Sequence, residues 1–121
     1  MLNFNSILIF SENQKALADF YKRVFDKKPE MEEDGWTGFL VGSGFISIGS
    51  HDKVHGKSSQ PERIIFNLES EDVKGEFDRI KALGAEVVKE PYQAMEGQEM
   101  WIATLADPDG NYFQIVTPWK M

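Results

Sequence analysis

The sequence predicts an α+β fold built from two βαβββ modules, residues 1–55 and 61–121, within a single domain. Three observations carry this expectation. The order strand-helix-strand-strand-strand can be read twice, a polar stretch without periodicity separates the two readings, and the chain placed over itself at an offset of 57 positions sets Ile7, Leu8, Ile9, Ala16 and Phe20 on Ile64, Ile65, Phe66, Val73 and Phe77.

In the first module Asn5-Ser6-Ile7-Leu8-Ile9-Phe10 is an apolar run of strand length. Ser11 and Gln14 have the spacing of a capping box, so a helix is expected to start there. Ala16, Leu17, Phe20, Tyr21, Val24 and Phe25 then form an apolar stripe at helical spacing, and Pro29 is expected to stop it. Glu30 to Asp34 supplies an edge strand, and Phe39-Leu40-Val41 and Phe45-Ile46-Ser47-Ile48 pair across Gly42-Ser43-Gly44 as a hairpin. The stretch from His51 to Gln60, rich in Gly, Ser and Lys, reads as a connecting loop.

The second module repeats the order. Arg63 to Leu68 is the strand, Ser70 with Glu71 and Asp72 the helix cap and acidic first turn, and Val73, Phe77, Ile80 and Leu83 the apolar stripe, closed by Gly84. Strands follow at Glu86-Val87-Val88, Met100 to Leu105 and Tyr112 to Thr117, the last two joined by the turn Asp107-Pro108-Asp109-Gly110-Asn111. Residues Gln93 to Glu99 form a flexible loop resembling a lid.

Composition sets bounds on function. No apolar run approaches the roughly 20 residues that span a bilayer, so no membrane role is expected. The net charge of −7 disfavours nonspecific attraction to nucleic acid or anionic lipid and mildly favours a cationic ligand. There is no cysteine, which excludes thiol nucleophiles and disulfides, and no basic and apolar leader at the start, so a cytoplasmic protein is expected.

Three segments, Ala18-Asp19-Phe20-Tyr21-Lys22-Arg23-Val24-Phe25, Ile80-Lys81-Ala82-Leu83-Gly84-Ala85-Glu86-Val87 and Asp107-Pro108-Asp109-Gly110-Asn111-Tyr112-Phe113-Gln114-Ile115, resemble the vicinal oxygen chelate superfamily. That superfamily includes glyoxalase I, extradiol dioxygenases, fosfomycin-resistance enzymes and bleomycin-resistance proteins. The resemblance implies that the two modules form an open, cleft-containing β-barrel with flanking helices, usually within a homodimer. Function must then be read from the site and not from the fold.

The resemblance also implies where metal ligands would stand. The family histidine of the first strand aligns with Asn5, or with Ser6 if the alignment moves by one residue. The hairpin glutamate falls on Ser47, the histidine opening the second module on Arg63, and the final-strand glutamate on Gln114. A catalytic transition metal wants imidazole and carboxylate donors, and a guanidinium offers no lone pair. No metal and no cofactor are therefore expected. His51 and His55 have a spacing that serves a metal only on a helix, and they stand in a polar loop as solvated side chains.

By strand alternation Asn5 shares a face with Ile7 and Ile9, and Gln114 with Tyr112 and Val116, so Asn5, Ser47, Arg63 and Gln114 are expected to converge in an apolar cleft. Trp36, Trp101, Tyr92 and Tyr112 are the aromatic candidates for its walls. Arg63 either orients an anionic or carbonyl-bearing ligand or pairs structurally with Glu62, Glu69 or another carboxylate. The reading is a metal-free small-molecule-binding protein of the bleomycin-resistance-like branch. Two alternatives stay open: a lyase, isomerase or dioxygenase-like enzyme of the same superfamily, either metal-free with a carboxylate such as Glu99 as general base or metal-dependent through ligands not recognised in the sequence, and a dimeric interaction scaffold.

Overall fold

The computed structural model describes residues 1–97 and 99–119, and the chain packs as two units, Met1–Gly56 and Lys57–Met121. The first contains β1 (Ser6–Phe10), α1 (Gln14–Phe25), β2 (Met31–Glu33), β3 (Trp36–Val41) and β4 (Gly44–Gly49). The second contains β5 (Phe66–Glu69), α2 (Val73–Ala82), β6 (Glu86–Gln93), β7 (Trp101–Ala106) and β8 (Tyr112–Val116). The fold is α+β, with one helix and one mixed four-stranded sheet in each unit. The sheet orders are β1-β4-β3-β2 and β5-β8-β7-β6, each with one parallel pair at the end where the helix crosses over.

In unit one, α1 covers one face of its sheet. Leu17, Phe20, Tyr21 and Val24 are buried, and Phe25 meets Phe39 edge-on at 5.2 Å. Phe39 and Ile48 are fully enclosed on that face, each contributing about 1.5–3 kcal/mol of burial free energy. In unit two, Val73, Phe77 and Ile80 of α2 are buried, as are Ala103, Leu105, Phe113 and Ile115 of the sheet. Lys74 of α2 places its ammonium 3.8 Å from the Trp101 ring centroid, which marks the helix-covered face of β7.

Several expected boundaries shift, each for a local reason. The capping box does not form. Ser11 is buried and its hydroxyl accepts from the Asn13 N–H at 2.9 Å, while the Gln14 amide donates to the Thr37 hydroxyl at 2.9 Å and the Ile48 carbonyl at 3.0 Å. Gln14 thus ties the helix to two strands instead of reaching back to its own cap. Helix α1 ends at Phe25, before Pro29 is reached, because Asp26 adopts a left-handed conformation at φ 51° and its N–H caps the Lys22 carbonyl. Ala16, expected in the stripe, is exposed.

Asp72, not Ser70, caps α2: its carboxylate accepts from the Gly75 N–H at 3.0 Å, while the Ser70 hydroxyl accepts from Asp72 N–H at 3.0 Å. The strand expected from Arg63 begins only at Phe66, and Ile64 is left 73% exposed. Strand β6 runs through Pro91 to Gln93, further than its apolar pattern indicates. Pro91 is tolerated because β6 is an edge strand and its pairing slips between Lys89 and Tyr92. Tyr92 and Gln93 therefore belong to a strand. The remainder of the expected lid is the β6–β7 connection, bridged by the Ala94 N–H to the Met100 carbonyl at 2.9 Å, with Gln98 outside the described residues.

Candidate functional site

The helix-free face of each sheet carries most of the residues singled out from the sequence. In unit one, Ser6↔Phe45, Leu8↔Ser47 and Phe10↔Gly49 face each other across β1 and β4, and Trp36↔Gly49, Gly38↔Ser47 and Leu40↔Phe45 across β3 and β4. Side chains of in-register partners project to the same side. Ser6, Leu8, Phe10, Trp36, Leu40, Phe45 and Ser47 therefore line one surface.

Two glycines shape this surface. A Cβ on Gly49 would stand 1.9 Å from the Trp36 ring, and one on Gly38 would stand 2.8 Å from the Phe45 ring. Each indole or phenyl edge lies on bare backbone, which only glycine permits. Between these rings stands Ser47, only 6% exposed. Phe10 adds a third ring, 6.0 Å from Trp36 and tilted by 51°, and meets the His51 imidazole edge-on at 5.3 Å. Trp36 was legible in the sequence as an aromatic candidate. Phe10, Gly38 and Gly49 were not, although glycines inside strands opposite aromatics are the signal that could have found them.

Asn5 does not join this surface. It precedes β1, is exposed, and the alternation that puts Ile7 and Ile9 against the helix would carry it to that side too. The one-residue shift in the alignment therefore favours Ser6, which shares the face of Ser47.

In unit two the helix-free face holds Gln114, whose amide Nε2 donates to the buried Thr104 hydroxyl at 3.1 Å, with Asn67 in register on the other side. Tyr112 and Tyr92 share this face, Tyr112 half-buried and Tyr92 39% exposed with the Lys89 ammonium 5.4 Å from its ring. Trp101 does not: it projects to the opposite side, against Lys74 of α2, because strand alternation separates it from Ile102 and Thr104.

Arg63 stands outside the strand in the exposed turn before β5. Its Nε and Nη2 both donate to the Gln60 side-chain oxygen, at 3.0 and 2.5 Å, so a local amide occupies the fork expected to meet a ligand or a carboxylate. Glu99 is exposed in the β6–β7 connection.

The positions where the resemblance implies metal ligands thus present hydroxyls at Ser6 and Ser47, a guanidinium at Arg63 and a hydrogen-bonded amide at Gln114. They supply neither imidazole nor carboxylate, and so do not fit a divalent transition metal. Among the described residues no three His, Asp or Glu side chains gather as a metal-holding group. His55 approaches the Glu12 carboxylate at 3.5 Å, and His51 accepts from the Lys53 N–H at 3.1 Å. The Gly56 N–H at 2.8 Å, helped by His55, holds the Glu12 carboxyl below its usual range. An open depression of 590 Å³ at the start of α1, lined by Glu12, Asp19, Asp34 and Gln14 among others, is carboxylate-rich and shares no residue with the aromatic surface.

The glyoxalase-like domain family matches residues 6–116, nearly the whole chain. The chain belongs to this family. Among solved structures, this glyoxalase-like domain is similar to a glyoxalase-related enzyme from Fulvimarina pelagi, with a TM-score of 0.78, 17% identity, and 98% of this chain and 89% of that one covered. It is also similar to the fosfomycin resistance protein FosX from Listeria monocytogenes (TM-score 0.75, 21% identity, 98% and 95% covered). A third likeness is to a glyoxalase/bleomycin resistance protein/dioxygenase family enzyme from Burkholderia phytofirmans PsJN (TM-score 0.74, 22% identity, 93% and 96% covered). At these identities the likeness is one of fold. No curated protein matches the glyoxalase-like domain significantly. Among the described residues it has no helix long and apolar enough to cross a membrane.

Proposed function

We infer that this glyoxalase-like domain binds a small organic molecule on its helix-free sheet surface without using a metal, in the manner of the bleomycin-resistance-like branch. The observation that carries the reading is the surface of unit one: half-buried Phe10, Trp36 and Phe45 share a face with Ser47, whose hydroxyl stands where the resemblance implies a metal-binding carboxylate. Apolar walls with a few orienting polar groups are the usual composition of a small-molecule site. Gln114 and Tyr112 supply the same mixture in unit two. The open barrel and the homodimer that the resemblance implies are part of this proposal. So is a cytoplasmic location, which the cysteine-free composition supports.

The enzyme alternative based on Glu99 loses its support, since that carboxylate is exposed to solvent and not enclosed in an apolar pocket. A thermal-shift screen of metal-stripped protein against small organic molecules and against Ni, Zn, Mn and Fe salts tests the proposal. Stabilisation by an organic molecule in the presence of chelator is expected. A stabilisation that requires one of the metals would overturn it.

A further inference from the structure

We propose that the surface of unit one selects a planar aromatic ring bearing a polar edge, and that Gly49 is the residue that sets this selectivity by seating Trp36. The proposal rests on the binding function inferred above and specifies the chemistry of its ligand. The Trp36 indole is half-buried and occupies the space where any side chain at Gly49 would begin, within 1.9 Å of its Cβ position. The ring is thus pressed onto the sheet and fixed in orientation, with Phe10 inclined at 51° beside it. A rigid, oriented indole rewards a flat guest, because stacking contact is lost as soon as the guest puckers.

Ser47 supplies the second half of the recognition. Its side chain is largely buried on the same face, one pleat along β4 from Gly49, opposite Gly38, over which the Phe45 ring lies. Among the described residues no side-chain hydrogen bond engages its hydroxyl, and no side-chain oxygen is sealed from solvent without a partner. The hydroxyl is therefore open to a ligand, beside a ring-stacking position. It can either donate or accept, so it suits a ring nitrogen, a lactam or a phenol.

The probes are 4-quinazolinone, which is flat with a polar edge, naphthalene, which is flat without one, and the ring-saturated analogue of quinazolinone, which is not flat. Calorimetric titration of the full chain is expected to show quinazolinone binding about tenfold more tightly than its saturated analogue, the gain typical of one aromatic stack. Gly49→Ala, which must lift the indole, and Trp36→Leu are both expected to abolish that preference, and Trp36→Phe to restore part of it. Ser47→Ala is expected to weaken quinazolinone and leave naphthalene unchanged. Should Gly49→Ala fail to fold, the two Trp36 variants carry the test. Equal binding of flat and saturated probes, full retention of the preference in Trp36→Leu, or binding by non-planar molecules alone overturns the inference while the binding function stands. If no organic molecule stabilises the protein, both fall together.

Discussion

Gln114 shows how much one atom decides. With an amide in place of a carboxylate, the side chain donates to Thr104 and becomes part of a half-buried pair. The substitution Gln114→Glu restores a carboxylate at that position, but the other positions where the resemblance implies ligands, Ser6, Ser47 and Arg63, still contribute no imidazole or carboxylate. Calorimetry with Zn or Ni should therefore detect no stoichiometric binding to that variant, and tight binding would show that the missing donors are supplied elsewhere. Glu30 makes a second residue-scale case. Its carboxyl is held below the usual range first by the Lys27 ammonium and then by the Leu40 N–H, which donates at 2.6 Å. Because the folded value is lowered, the stabilisation is present above the ordinary value of 4.5 and is lost as the pH falls through the lowered one. In urea unfolding, Glu30→Gln should cost stability at neutral pH and converge on the parent protein in acid; a pH-independent difference would contradict this. At this scale Ser47, Trp36 and Gln114 were legible because a polar or aromatic residue in a strand announces itself. The setting of Arg63 was not legible, since Gln60 three residues earlier takes its guanidinium, and nothing in strand alternation anticipates a local turn contact.

The elements themselves were readable from periodicity, whereas their ends were not. Both helices begin with the polar residues expected of a cap, yet in each the hydroxyl nearest the strand makes a tight turn and the helix starts three residues later. Competition among adjacent Ser, Glu, Asn and Asp side chains is settled by tertiary contacts such as Gln14 to Thr37, which a local pattern does not contain. The α2 cap yields a quantitative expectation. Asp72→Ala should destabilise by about 1 kcal/mol. A Cβ on Gly75 would stand 2.1 Å from the Asp72 carboxylate, so Gly75→Ala displaces the cap while gaining about 1 kcal/mol of helix propensity, and its net effect should be close to zero. A double-mutant cycle should then show Asp72→Ala costing much less in the Gly75→Ala background, and additive effects would refute the coupling. Strand β5 shows the opposite error, in which apolar Ile64 was read into the strand and stands exposed before it.

For the whole molecule, the doubled order of elements was the most legible feature, because two stretches of matching periodicity survive even where few residues coincide. The two sheets place Ser47 and Gln114 on the side away from each helix, which follows from alternation once one face is known to be core, whereas Asn5 and Arg63 lie outside the strands. On the function proposed above, this member of the glyoxalase-like family holds its ligand with aromatic rings and a hydroxyl in place of a metal. Elemental analysis of the chain purified without chelator, followed by titration with Ni, Zn, Mn and Fe(II), tests it most directly. The expected result is substoichiometric metal and no saturable binding of any of the four ions. One tightly held metal per chain would rule out a metal-free site.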